Sequence, residues 1–168
     1  MKELYKKITE KLTSTEAVEA YQERKLPRVK MVDLYRGQYF AFEEQEIIPT
    51  PAVLYEFIIS HVDSIITVNL HLCYEQLLDT SNISRSLDNA LKFFDFADVT
   101  IDLLYDLETE KTGKLELVSE ETLKDDAIVN VYLVSFVAKI EKRTPEKFNY
   151  VEGEHLNTAR EIKEFDFD

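Results

Sequence analysis

Three glycines, four prolines and one cysteine are spread over 168 residues, and each scarcity excludes something. So little glycine and proline leaves no room for a flexible linker, a collagen-like repeat or a low-complexity segment. The single Cys73 cannot close an internal disulfide, which fits a reducing compartment. No apolar run approaches the roughly 20 residues that span a bilayer. The opening stretch, Met1 to Ile8, carries charges where a signal peptide needs an apolar centre. These absences predict a protein made and kept in a cytoplasm, with no membrane contact.

Positive charge is also in short supply. Lysine and arginine total 20 against 33 acidic residues, for a net charge of -13. That balance repels phosphate backbones and argues against a duplex-binding module. It suits the lining of a passage through which DNA slides without sticking, and it equally suits a surface kept acidic for solubility. With 45% hydrophobic and 32% charged residues, the composition is that of one soluble globular domain with a substantial core.

Chemistry-bearing motifs are sparse. Histidine is limited to His61, His71 and His155. His71 and Cys73 alternate onto one strand face, as a ligand pair or a thiol beside a base would, but a zinc site wants three or four ligands. An ordinary polar sheet face is the better account. No Gly-rich phosphate loop, nucleophile elbow or metalloprotease helix occurs, and acidic pairs such as Glu43-Glu44, Glu120-Glu121 and Asp125-Asp126 fall in apparent loops. Tyr39, Phe40 and Phe42 could stack bases, yet their neighbours are Glu43, Glu44 and Glu46 rather than Lys and Arg. Core packing or a partner contact fits them better. The expectation is a non-enzyme without cofactor or metal.

Periodicity sets out the elements. Leu4, Tyr5, Ile8 and Leu12 predict an opening amphipathic helix, and Ser14-Thr15-Glu16-Ala17 starts a second that Pro27 ends. Strands follow at Arg28–Tyr35, Ala52–Ile59 and Ile65–Tyr74, the last two antiparallel across a short connection. Ser86 opens a long helix with Leu87, Ala90, Leu91, Phe94, Ala97, Ile101 and Leu104 as its stripe. Leu115–Val118 is a short strand and Glu120–Asp126 a charged loop. The fold expected is α+β: a small antiparallel sheet of four to five strands, packed by the N-terminal helix and one long central helix. It occupies residues 1–140, and residues 141–168 form an acidic C-terminal arm, helical in part over 157–164.

The closing run, Asp126 to Ile140, is apolar on both faces. Ile128, Tyr132, Val134, Phe136, Ala138 and Ile140 alternate with Val129, Val131, Leu133 and Val137. A helix layer covers one side of such a sheet, so the second face needs another cover, from its own chain or from a neighbouring copy.

The order of segments resembles a known group. After the opening helix come VKMVDLYRGQ (29–38), PTPAVLYEFI (49–58) and ITVNLHLCYE (66–75). SLDNALKFFDFADVTIDLL (86–104) and DDAIVNVYLVSFVAKI (125–140) complete the series. Over roughly residues 1–140 this is similar in element order and local texture to the tail-terminator or tail-completion proteins of tailed bacteriophages, particularly of Bacteroidetes prophages. The resemblance implies a virion structural protein, held in the host cytoplasm before assembly, forming a homo-oligomeric and commonly hexameric ring at the head-tail junction. Its implied partners are tail-tube and connector proteins. It also implies that sheet edges and the second face of the closing strand, Val129, Val131, Leu133 and Val137, meet neighbouring copies. The long arm departs from the compact members, which leaves terminator, neck and tail-tube component open. The residues alone leave a second reading, an acidic adaptor or immunity-type domain that binds one basic protein.

Overall fold

The structure, a computed structural model, describes residues 1–40, 48–74, 79–123 and 129–141. Phe42, the acidic pairs at 43–44 and 125–126, Ile128 and the arm beyond Glu141 lie outside the described residues.

Two helices open the chain, α1 (Lys2–Thr13) and α2 (Thr15–Glu23), and one residue articulates them. Ser14 adopts an extended conformation, and its Oγ accepts from the Ala17 N–H at 3.1 Å while donating to the Lys11 carbonyl at 2.8 Å. The same hydroxyl thus caps α2 and ties off α1. The stripe Leu4, Ile8 and Leu12 is buried, as are Ala17 and Tyr21 of α2.

Five strands follow: β1 (Met31–Leu34), β2 (Ala52–Ser60), β3 (Ile65–Tyr74), β4 (Glu116–Thr122) and β5 (Asn130–Lys139). They form one sheet in the order β1-β2-β3-β5-β4. The expected α+β class holds, but the sheet is mixed, because β1 runs parallel to β2 while every other pair is antiparallel. The 35–51 connection is the kind of length a parallel return requires, and a tight hairpin could not have supplied it. β4 runs on to Thr122 and takes in Glu120 and Glu121, expected in a loop. Among the described residues it pairs on one side only, as an edge strand, so its carboxylates project into water without cost.

The long helix is interrupted. α3 (Leu87–Ala90) and α4 (Lys92–Leu104) are separated at Leu91, where ψ opens to 0°, and Ser86 makes no side-chain cap bond. The break resets the helical phase. Phe96, Ala97, Val99, Thr100, Ile101, Leu103 and Leu104 face inward, whereas Phe94, expected in the stripe, is exposed beside Tyr132.

All helical burial falls on one sheet face. Val53 and Tyr55 of β2, Ile66, Val68, Leu70 and Leu72 of β3, and Val134, Phe136 and Ala138 of β5 join α1, α2 and α4 in a single core. Its polar atoms are paired: the Thr100 hydroxyl donates to the Phe96 carbonyl at 2.7 Å and is 2.9 Å from the Tyr21 hydroxyl. Burial pushes that phenol up to about 12, so it stays a neutral donor. Phe96 sits between Tyr21 and Tyr74, with ring centroids 5.2 and 5.5 Å away. Truncating it removes the contact joining α2, α4 and β3. We expect Phe96→Ala to cost about 3–5 kcal/mol, read as a lower urea midpoint at unchanged slope.

Candidate interaction surface

The helix-free face of the sheet is laid out by register. Strand pairing aligns Met31, Ala52, Cys73 and Val131 in one row, and Asp33, Leu54, His71 and Leu133 in the next. Glu56, Asn69 and Ser135 form the third row, and Ile58, Thr67 and Val137 the fourth. Because side chains alternate, all of these point away from the helices.

The first two rows are roofed by the chain itself. Gly37, at φ 84°, lets the backbone turn back over the sheet, and the Phe40 N–H closes onto the Gly37 carbonyl at 3.1 Å. Tyr35, Tyr39, Phe40 and Ile48 then pack on Ala52, Leu54, Cys73, Val129, Val131 and Leu133 as a second, smaller core. His71 is its centre. The Tyr35 ring stacks on the imidazole with centroids 3.9 Å apart and planes 15° from parallel, and the Tyr39 hydroxyl lies 2.9 Å from Nδ1. Nε2 is buried with no partner among the described residues. Burial holds the imidazole below its ordinary 6.5, and Glu56 acts weakly in the other direction. The neighbouring Cys73 thiol is pushed up to about 12 by burial. The thiol lies 3.7 Å from the His71 carbonyl, and its burial disfavours the thiolate, the form that acts as nucleophile or metal ligand. The described residues contain no cluster of three or more His, Cys, Asp or Glu placed to hold a metal.

Below the roof the face is open. Asn69 Nδ2 donates to Glu56 Oε1 at 3.2 Å, and Ser135 Oγ donates to Asn69 Oδ1 at 2.9 Å, so a polar row crosses β2, β3 and β5. Beyond it Ile58 is 55% exposed and Val137 half-buried, with Val137 lining a shallow cavity of about 360 Å³ beside Ile65, Gly113 and Glu116.

Of the four residues expected to meet a neighbour, three pack within the chain. Val129 and Val131 are each 6% exposed beneath the aromatic roof, and Leu133 packs against the same cluster. Part of the second cover is therefore intramolecular. Val137 alone lies in the open half. The residue types had signalled the boundary: Glu56, Asn69 and Ser135 are polar at alternate positions of otherwise apolar strands. The stack of Tyr35 on His71 carried no local signal, since 36 positions separate them.

No protein-family model matches the chain, and no curated protein matches it as a relative. Among the described residues no helix is long and apolar enough to cross a membrane.

A depressed His71 has a definite sign. As pH falls, the unfolded chain takes up its proton near 6.5 before the folded one does, so stability declines from there and levels off below the folded value. Urea midpoints should drop between about pH 7.5 and about pH 5.5, and His71→Phe should flatten that decline. Equal slopes in the two proteins would assign it to other groups.

Proposed function

We propose that the protein is a structural subunit of a tailed-phage virion that closes into a homomeric ring, commonly hexameric, at the head-tail junction, as tail terminator or neck component. The sequence resemblance supplies the phage context. The observation that carries the assembly is the half-covered outer face: a sheet walled by helices on one side and roofed over only two rows on the other. Its open rows present Ile58 and Val137 above a hydrogen-bonded polar row, beside two sheet edges with no further strand among the described residues. Burying one such aliphatic side chain at a contact is worth about 1.5–3 kcal/mol, and six-fold repetition makes the closed ring cooperative. The net charge of -13 suits a lumen that lets DNA pass.

Light scattering after size exclusion, alone and with purified tail tubes, tests this reading. A species larger than a dimer, or rings seen capping tube ends by electron microscopy, is the expected result. A chain that stays monomeric or dimeric in both conditions supports the acidic adaptor instead.

Two substitutions separate the roofed from the open half. Val131→Asp buries an uncompensated charge and should cost several kcal/mol of monomer stability, on the order of 3 or more. Ile58→Asp sits in water and should leave unfolding within about 1 kcal/mol of wild type while weakening assembly. Thermal melts paired with light scattering read both, and a stable, assembling Ile58→Asp protein removes the open face from the contact.

A further inference from the structure

The two edges of the sheet carry opposite charge although the chain as a whole is strongly acidic. Around β1, residues 24–36 hold Arg24, Lys25, Arg28, Lys30 and Arg36 against Asp33 alone. Arg24 and Arg36 are engaged within the chain, by Asp98 and Asp102 and by Asp33. Arg28 and Lys30 are exposed and make no ion pair among the described residues. At the far edge, β4 is exposed nearly throughout and carries Glu116, Glu120 and Glu121, none of them ion-paired among the described residues. Each edge also shows one aliphatic side chain to solvent: Leu34 on β1, and Val118 on β4, which is 61% exposed at a β-bulge.

We infer that the partner of each edge is the opposite edge of a second copy of this chain, β4 against β1, head to tail. This inference rests on the proposed ring and specifies its contact. Three observations converge on it. Charge complementarity selects the pairing: like edges brought together by a two-fold axis would set one acidic β4 against another, with Glu120 and Glu121 near the copy's Glu116, or one basic edge against another. Strand direction permits it. β2 runs with β1, β3 against them, β5 with them and β4 against them, so β4 meets the β1 of an equivalently oriented neighbour antiparallel. That sense places Arg28 and Lys30, which precede β1, at the end of β4 that holds Glu120 and Glu121. Finally, the edges are guarded against indiscriminate pairing. The bulge and the carboxylates of β4 repel another acidic edge, which leaves a basic edge as the acceptable one. A contact between two different patches leaves one of each free at the ends, so it propagates until a rotation closes it.

Sedimentation velocity of the purified full chain, up to millimolar concentration and across salt, reads the contact. Wild type should form species larger than a dimer that dissociate as salt shortens the Debye length below about 8 Å. Glu120→Lys/Glu121→Lys and Arg28→Glu/Lys30→Glu should each be folded by circular dichroism and lose every species larger than monomer. The protein carrying all four changes should regain assembly, because its edges are complementary again with signs exchanged. Rescue separates charge pairing from a merely damaged edge. Wild-type assembly that survives either pair of reversals, or that the four-fold variant fails to regain, overturns the edge contact and leaves the ring reading standing. A wild type that is monomeric at every concentration overturns the contact, and tube capping by that monomer then decides the ring separately.

Discussion

Everything in this molecule is registered against β3. Each residue from Ile65 to Tyr74 pairs with β5, and nine of the ten positions on the other side pair with β2 from Ala52 to Ser60. Side chains alternate with a period of two, so this ladder decides at once which residues of three strands meet the helices and which meet the far side. A slip of one position would carry Ile66, Val68, Leu70 and Leu72 out of the helix core and put Thr67, Asn69 and His71 into it. Neither environment tolerates the exchange, since unpaired polar groups under the helices cost several kcal/mol in sum, roughly 1–3 each. The register is thus over-determined, and the outer rows are as firmly set as the inner ones.

The outer face then divides by chemistry. Row two holds Leu54, His71 and Leu133, a greasy strip with a flat ring at its centre, and flat rings stack well on flat rings. Tyr35 and Tyr39 accept that invitation because Gly37 returns the chain at the right point. Row three offers no such footing. Glu56, Asn69 and Ser135 satisfy one another laterally and still face water, so covering them with aromatic surface would strip hydration from a carboxylate for little gain. The roof ends where the polar row begins.

Much of this was legible from residue order. The alternation of Ile66, Val68, Leu70, Leu72 and Tyr74 marks β3 to its last residue, and Leu4, Ile8 and Leu12 mark the buried stripe of α1. Ser14 reads as a helix start because its hydroxyl has a donor three residues on. What stayed hidden depends on contacts remote in sequence. The parallel pairing of β1 leaves no trace in β1 itself, four residues long. The helix break at Leu91 hides because Leu87, Ala90, Leu91 and Phe94 happen to fit an unbroken period. The extension of β4 through Glu120 and Glu121 contradicts strand composition, and only an edge position with water on one side reconciles them. The two faces of β5 were plain, but not the identity of the second cover, since Val129 and Val131 meet residues some ninety positions earlier.

The partial roof changes where the proposed assembly would place its contacts. Had both outer halves been bare, face-to-face stacking of sheets would have offered the largest apolar area, and a two-fold dimer its simplest geometry. With two rows already occupied, the remaining face is a narrow strip around Ile58 and Val137 bordered by Glu56, Asn69 and Ser135, which offers a small apolar contact rather than a broad stacking surface. The edges are under a different constraint. On β1 the Leu34 N–H donates to Asp33 Oδ1 and its carbonyl accepts from Gln38 Nε2, so an antiparallel neighbour would displace those two side chains while pairing the edge groups that have no strand partner. Charge placement follows the same logic. A protein with 33 acids could have scattered its 20 basic residues evenly, yet five of them fall within thirteen positions around β1 and three carboxylates line β4 at the opposite margin. Within one copy Arg24 and Arg36 pair with Asp98, Asp102 and Asp33, but charges on the two opposite margins are screened from each other by solvent. In the proposed ring this polarity acquires a purpose, with one molecule's β4 facing another's β1.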